Sequence, residues 1–192
     1  MKRFFHAIFR LVSETLQATL VAGLLFAVIY VYVGQSSYVQ GASMEPTFHT
    51  GDRIITSKIT YKVRDIQRGD VVVITSPQND NLHLIKRVVG LAGDTIRIQE
   101  GKVYLNDQLL EEDYISGETP LWESGYVVEG ESYTVPEGFI FVLGDNRKQS
   151  SDSREFGYVP VENVIGQAVY RYYPLDQLGD VVNPFPEELR LK

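Results

Sequence analysis

Residues 69–90 read Gly-Asp-Val-Val-Val-Ile-Thr-Ser-Pro-Gln-Asn-Asp-Asn-Leu-His-Leu-Ile-Lys-Arg-Val-Val-Gly. Two short apolar clusters lie within them, 70–75 and 82–89, both rich in the β-branched side chains that favour strands. Working outward, clusters of the same kind recur at 53–60, 95–99, 102–105, 125–128, 139–143 and 167–173. Gly51, Gly69, Gly93, Gly101, Gly130, Gly138, Gly144 and Gly166 punctuate them, as turns between strands require. No long stretch of period 3.6 follows residue 35, and only residues 159–165, with Pro160 near the start, suggest a short helical turn. Many strands at short spacing predict a mainly β fold, built as antiparallel sheets or a partly closed barrel. The acidic stretch 111–131 reads as an excursion inserted within 106–132, and the tail beyond Pro174, with Pro184 and Pro186, as irregular chain.

The 192 residues suit one globular unit with an appendage. Hydrophobic residues at 44% and charged residues at 22% exclude wholesale disorder. Cys 0 excludes disulfides, thiolate nucleophiles, cysteine zinc sites and iron–sulfur clusters. With His 3, little remains for a histidine-rich site, and no metal or cofactor is expected. A net charge of -7 argues against a general nucleic-acid binder, whose footprint is basic.

That acidity is unevenly spread. Lys2, Arg3 and Arg10 make residues 1–13 basic, no charged side chain lies between Glu14 and Glu45, and residues 16–33 hold only Gln17 and Thr19 as strongly polar members. At 1.5 Å per residue this run spans about 27 Å, close to the hydrocarbon thickness of a bilayer. Tyr30, Tyr32 and Tyr38 cluster at its far end, where amphipathic rings favour the interface. A cleaved signal peptide, with Gly34 and Ser36 flanking a cut, competes with this reading, but its apolar core is ordinarily about 7–15 residues. A buried core helix is disfavoured because every face is apolar. The expected organisation is therefore a cytoplasmic basic segment at 1–13, a single transmembrane anchor at 14–35, an extracytoplasmic β domain at 36–175 and a tail at 176–192, with the lipid bilayer as partner.

Three motifs carry chemistry. Gly41-Ala42-Ser43-Met44-Glu45-Pro46-Thr47 follows the apolar run; Lys86-Arg87-Val88-Val89-Gly90 closes the second apolar cluster; Gly144-Asp145-Asn146-Arg147-Lys148-Gln149-Ser150-Ser151-Asp152-Ser153-Arg154 comes third. Together, with Gly69-Asp70-Val71-Val72-Val73 as a further box, they resemble the type I signal peptidases, membrane-anchored Ser/Lys proteases that remove signal peptides from exported proteins. The resemblance runs from the basic N-terminus to about Tyr173 and is closest to the compact one-anchor Gram-positive members. It implies Ser43 as nucleophile and Lys86 as general base, with signal-peptide-bearing precursors cut after small-x-small sites. It also implies that Ser150 hydrogen-bonds and orients the amine, that Asp152 and Arg154 brace the site, and that Asp145 and Arg87 join the same network.

The residues can be weighed on chemical grounds too. A serine hydroxyl needs a neighbouring base, although most serines ahead of a Pro-Thr turn serve only local hydrogen bonds. His49 sits in a turn and is expected to face solvent. Alternation puts His83 and Lys86 on opposite strand faces and groups Leu84, Lys86 and Val88 on one. If that face is buried, desolvation lowers the lysine pKa; a drop of about 2 units corresponds to about 2.7 kcal/mol. The ordinary alternative for Lys86 is an exposed lysine in a surface ion pair, and for the third motif a solvated turn cluster. Some family members add a serine hydroxyl two positions before the nucleophile, where this chain has Gly41. The second oxyanion donor thus stays open between a backbone group, a water and another side chain. Gly41 would allow a substrate strand to approach closely, while Val39, Met44 and Leu84 are expected to line shallow apolar pockets. Ala92 stands where proline is usual in the family. The rival of another class is a membrane-tethered β domain that binds without catalysis. A self-cleaving Ser/Lys repressor would need DNA-binding helices in place of the apolar segment.

Overall fold

The structure is a computed structural model that describes residues 2–32 and 34–191, without the side chains of 2–5, 7 and 27–32. Helix α1 (Lys2–Tyr32) leads the chain. Its stretch Ile8–Phe26, 19 residues, is the one segment among the described residues long and apolar enough to cross a membrane by length and composition. That stretch begins ahead of the expected 16–33 and takes in Arg10 and Glu14, which pair at 2.7 Å one helical turn apart. Val33 and the side chains of Tyr30 and Tyr32 fall outside the described residues.

The body then runs β1 (Gly34–Tyr38), β2 (Arg53–Ser57), a one-turn helix α2 (Thr60–Val63), β3 (Val71–Ser76), β4 (Asn79–Gly90), β5 (Thr95–Gln99), β6 (Lys102–Leu105), β7 (Gln108–Leu109) and β8 (Ser132–Thr134). It continues with β9 (Phe139–Leu143), α3 (Ser153–Phe156), β10 (Val159–Pro160), β11 (Val164–Tyr173), β12 (Gly179–Asp180) and α4 (Glu187–Arg190). The larger antiparallel sheet is ordered β1-β2-β11-β3-β4-β9-β10, with β12 added to β11, and the smaller β7-β6-β5-β8. Neither closes on itself, so of the two expected forms the fold takes the antiparallel sheets, left open. Strands β3 and β4 pair Val72 with Lys86 and Ile74 with Leu84, whereas β9 joins β4 only from Arg87 onward. One edge of β4 before Arg87 therefore keeps free backbone groups. Alternation holds here: Leu84 and Val88 pack with Val72 and Ile74 in one core cluster, while Ile85 packs with Val39, Met44 and Phe48 in another.

Other expectations need correction. Residues 125–128 form no strand, because the amides of Tyr126 and Val127 donate to the Arg154 carbonyl and not to a ladder. The stretch 53–60 ends as strand at Ser57, and Thr60 turns into α2 with its hydroxyl donating to Ser57. The expected turn at 159–165 narrows to a 3-10 turn at Val161–Asn163. The tail is not irregular chain. Phe185 is buried in the main core, and Arg68 donates to the carbonyls of Leu189 and Leu191 while bonding Asp94 at 2.6–2.7 Å. The space over Gly69 is filled by Asn183 and Phe185, into which a Cβ would intrude at 2.0 and 2.9 Å.

Candidate active site

Ser43 lies in a turn held by its apolar neighbours. The Phe48 amide donates to the Met44 carbonyl at 2.8 Å, and both side chains are essentially fully buried. The remaining carbonyl constraint comes from the third motif, where the Asn146 amide donates to Ser43 O at 3.0 Å. Lys86 enters from β4, 2% exposed, and its Nζ lies 2.9 Å from Ser43 Oγ and 3.0 Å from the Ile85 carbonyl. Burial brings its pKa down to about 8; Asp152 and Asp145 oppose that shift and Arg154 assists it. An amine so placed is neutral in about a quarter of molecules at pH 7.5. His49 is exposed, and His83 lines the adjoining groove, so Lys86 is the side chain in hydrogen-bond reach of the Ser43 hydroxyl among the described contacts.

The charges expected to brace the site are buried and paired. Arg87 grips Asp145 through Nε at 2.9 Å and Nη2 at 2.6 Å, and donates to the Gly69 carbonyl at 2.9 Å. Thr47 also donates to Asp145, so the first, second and third motifs meet at one carboxylate. Arg154 grips Asp152 twice at 2.8 Å, and Asp152 accepts from the Gly144 amide at 3.0 Å while capping α3. A third pair was not read from the sequence: Arg147 holds Glu112 at 3.0 Å and the Gly144 carbonyl at 2.9 Å. Nothing local marks Glu112 for burial, since it sits in an acidic run and its partner is 35 residues away.

Ser150 departs from expectation. Its hydroxyl is buried, and among the described residues it is the one buried side-chain polar atom without a hydrogen-bond partner. The amine's described contacts are to Ser43 and Ile85 instead. Leaving such a group unpaired costs about 1–3 kcal/mol. It lies against Gly144, where a Cβ would meet Ser150 Oγ at 2.2 Å and Ser43 O at 2.4 Å. Gly144→Ala is therefore expected to push Ser43 and Ser150 apart, lowering kcat by roughly 10²-fold, the scale of a 1 Å misplacement. Steady-state kinetics with an unchanged KM would check this.

A groove of about 600 Å³ opens beside Ser43 and Lys86. Its walls are residues 35–40, at β1 and just beyond, and residues 82–85 on the free edge of β4, with Ile54, Val73 and Ile165 between them. Val39 and Leu84 line it as expected. Met44 does not. Met44 is fully buried in the cluster with Val39 and Phe48, because the turn that presents Ser43 sends the next side chain inward. Gly41 spends its amide on Thr50 Oγ1 at 3.0 Å, at a φ of 98° that favours glycine. Sequence reasoning missed Gln35, Ser36 and Ser37, which a strand at 34–38 would have disclosed.

An alcohol in contact with a desolvated amine, beside an open strand edge, is the equipment of a hydrolase that uses lysine as its base. The chain belongs to the signal peptidase, peptidase S26 family, whose model matches residues 12–173. It is 39% identical over 167 residues to a probable signal peptidase I-2 of Synechocystis sp., covering 84% of this chain and 73% of that protein. A signal peptidase I of Leptolyngbya laminosa is likewise 39% identical, over 81% of this chain and 77% of its own length. One from Bacillus licheniformis is 33% identical, over 86% and 90%.

Proposed function

We propose that this chain is a membrane-bound serine endopeptidase that removes N-terminal signal peptides from exported precursors, cutting after small-x-small sites. The observation that carries the reading is the 2.9 Å contact between Lys86 Nζ and Ser43 Oγ in a site where the amine is 2% exposed. Family membership supplies the substrate class.

Neutral Lys86 takes the Ser43 proton as Oγ attacks the scissile carbonyl. The tetrahedral oxyanion is met by the Ser43 N–H. Lys86, now an ammonium, returns the proton to the departing amine as the C–N bond breaks. Water then attacks the acyl ester with Lys86 again as base, and the ester C–O bond breaks as Lys86 returns that proton to Ser43 Oγ. During these steps the ammonium has three N–H groups to place, and the unpartnered Ser150 hydroxyl is suited to receive one. The paired Arg87–Asp145 and Arg154–Asp152 hold position without moving protons. Substrate adds as an extended segment to the free edge of β4, with Val39 and Leu84 contacting its small side chains.

Helix α1 serves as the anchor, with its basic start in the cytoplasm and the β domain outside. Tyr32, which ends α1, lies eleven residues before Ser43, so the nucleophile stays within about 40 Å of that end. The test is cleavage of a precursor carrying an Ala-x-Ala site by the detergent-purified chain, with the product N-terminus read by mass spectrometry. One cut after the second alanine is expected. Intact precursor, bound but uncut, would instead describe a binding module.

A further inference from the structure

All three buried arginines around the site have a second contact from the segment between β7 and β8, which lines no part of the groove. Arg147 is held by Glu112 and by Thr119 Oγ1, at 3.0 and 2.7 Å. Arg154 donates to the Pro120 carbonyl at 2.8 Å, lies 4.5 Å from the Trp122 ring centroid, and accepts at its own carbonyl from the amides of Tyr126 and Val127. Arg87 lies 4.5 Å from the Tyr114 ring centroid, and Tyr114 donates to Glu112 at 2.6 Å. Arginines that are 0–1% exposed are thus covered by a segment that, in the sequence, looks like a solvated acidic loop.

We propose that residues 112–127 form a clasp that keeps water from the charges beside Lys86 and holds them in place, with Glu112 and Trp122 as positioning residues. This rests on Lys86 acting as the base. The charged groups facing Lys86 are Asp145 from the loop after β9, Asp152 and Arg154 at α3, and Arg87 beside it on β4 when Asp145 is counted with its partner. Trp122 and Pro120 bear directly on Arg154; Glu112 acts through Arg147 and the Gly144 carbonyl, next to Asp145. Loosening the clasp lets water in to this cluster and to the amine beside it. Relief of the amine's desolvation, the largest influence on it, outweighs the screening of Asp145 and Asp152, so the proton is held more tightly.

The test uses the full-length chain in detergent, with kcat and KM for an Ala-x-Ala precursor measured against pH. In Trp122→Ala and Glu112→Gln, the ascending limb of kcat is expected to move up by roughly half a pH unit, a loss of about threefold below the limb. KM should not change, because the groove is untouched. Trp122→Phe, which keeps a ring over Arg154, should restore the wild-type limb. The chain has Trp 1, so Trp122 emission in the Glu112→Gln protein reports directly whether the clasp has opened. If one variant fails to fold, the other still decides. A limb at the wild-type pH in the folded variants, with only melting temperature lowered, overturns the clasp. A wild-type profile without an ascending limb, or an active Lys86→Ala protein, overturns the base assignment itself and is seen before any clasp variant is made.

Discussion

Ser43→Ala and Lys86→Ala are each expected to lower kcat by at least about 10³-fold, and the double variant to be no worse than either single one. The two side chains make one unit: without the amine the hydroxyl proton has no acceptor, and without the hydroxyl the amine has no task. KM should stay within about threefold, because most of the groove wall belongs to β1, the chain just beyond it and the free edge of β4. Neither loss should come from unfolding. Removing Lys86 deletes a charge that burial disfavours, so the variant ought to melt no lower than wild type at neutral pH. Single-turnover cleavage alongside thermal melts separates these effects. An alanine at position 86 that keeps activity within tenfold would mean another group supplies the base.

Arg87→Met is expected to have the largest effect on stability. The side chain is 1% exposed and its partner Asp145 is 0% exposed, so the substitution leaves a carboxylate in the interior with Thr47 as its remaining described side-chain donor. Breaking a buried pair in this way costs about 3–5 kcal/mol. That is a large share of the 5–15 kcal/mol by which folded domains are ordinarily stable. At about 2–4 °C per kcal/mol for a chain of this size, the melting point should fall by roughly 6–20 °C. The double variant Arg87→Met with Asp145→Leu should recover most of the loss, since the uncompensated charge goes with its partner. Urea titrations of both proteins measure this; equal destabilisation of single and double variants would show that packing, not the stranded charge, dominates.

The regular strands were legible in the sequence. The clusters at 95–99, 102–105 and 139–143 coincide with β5, β6 and β9, because half-buried strands leave a local composition bounded by turn residues: Gly93, Gly101, Gly138 and Gly144, and Asn106-Asp107 after β6. Residues 125–128 carry the same local composition yet form no strand, since what decides the matter is a carbonyl at Arg154 that no window contains. Phe185 and Asn183 show the same limit in the tail, where prolines suggest loose chain but Gly69, over a hundred residues earlier, leaves the space they fill. The Ser43–Lys86 pair was reached through the resemblance of three motifs; strand alternation grouped Lys86 with Leu84 and Val88 but left open whether that face is buried, which only the fold decides. Met44 was misplaced because adjacency to Ser43 in the chain says nothing about which way a turn directs its members. Glu112 was invisible for the reason that makes it informative: an acid in an acidic run reads as solvated, and only the fold brings Arg147 to it.

Catalysis here depends on the interior lowering the Lys86 pKa far enough that a working fraction of the amine is neutral near neutral pH. Titration of the Lys86 side chain by NMR in the full-length protein, with ¹³C-lysine labelling and Lys86→Ala to assign the resonance, measures this without relying on turnover. The chemical shift should move with a midpoint near pH 8, the value set by burial against the opposing fields of Asp152 and Asp145. A midpoint close to 10.4, where free lysines titrate, would mean that the amine is hydrated and charged, and unable to act as the base.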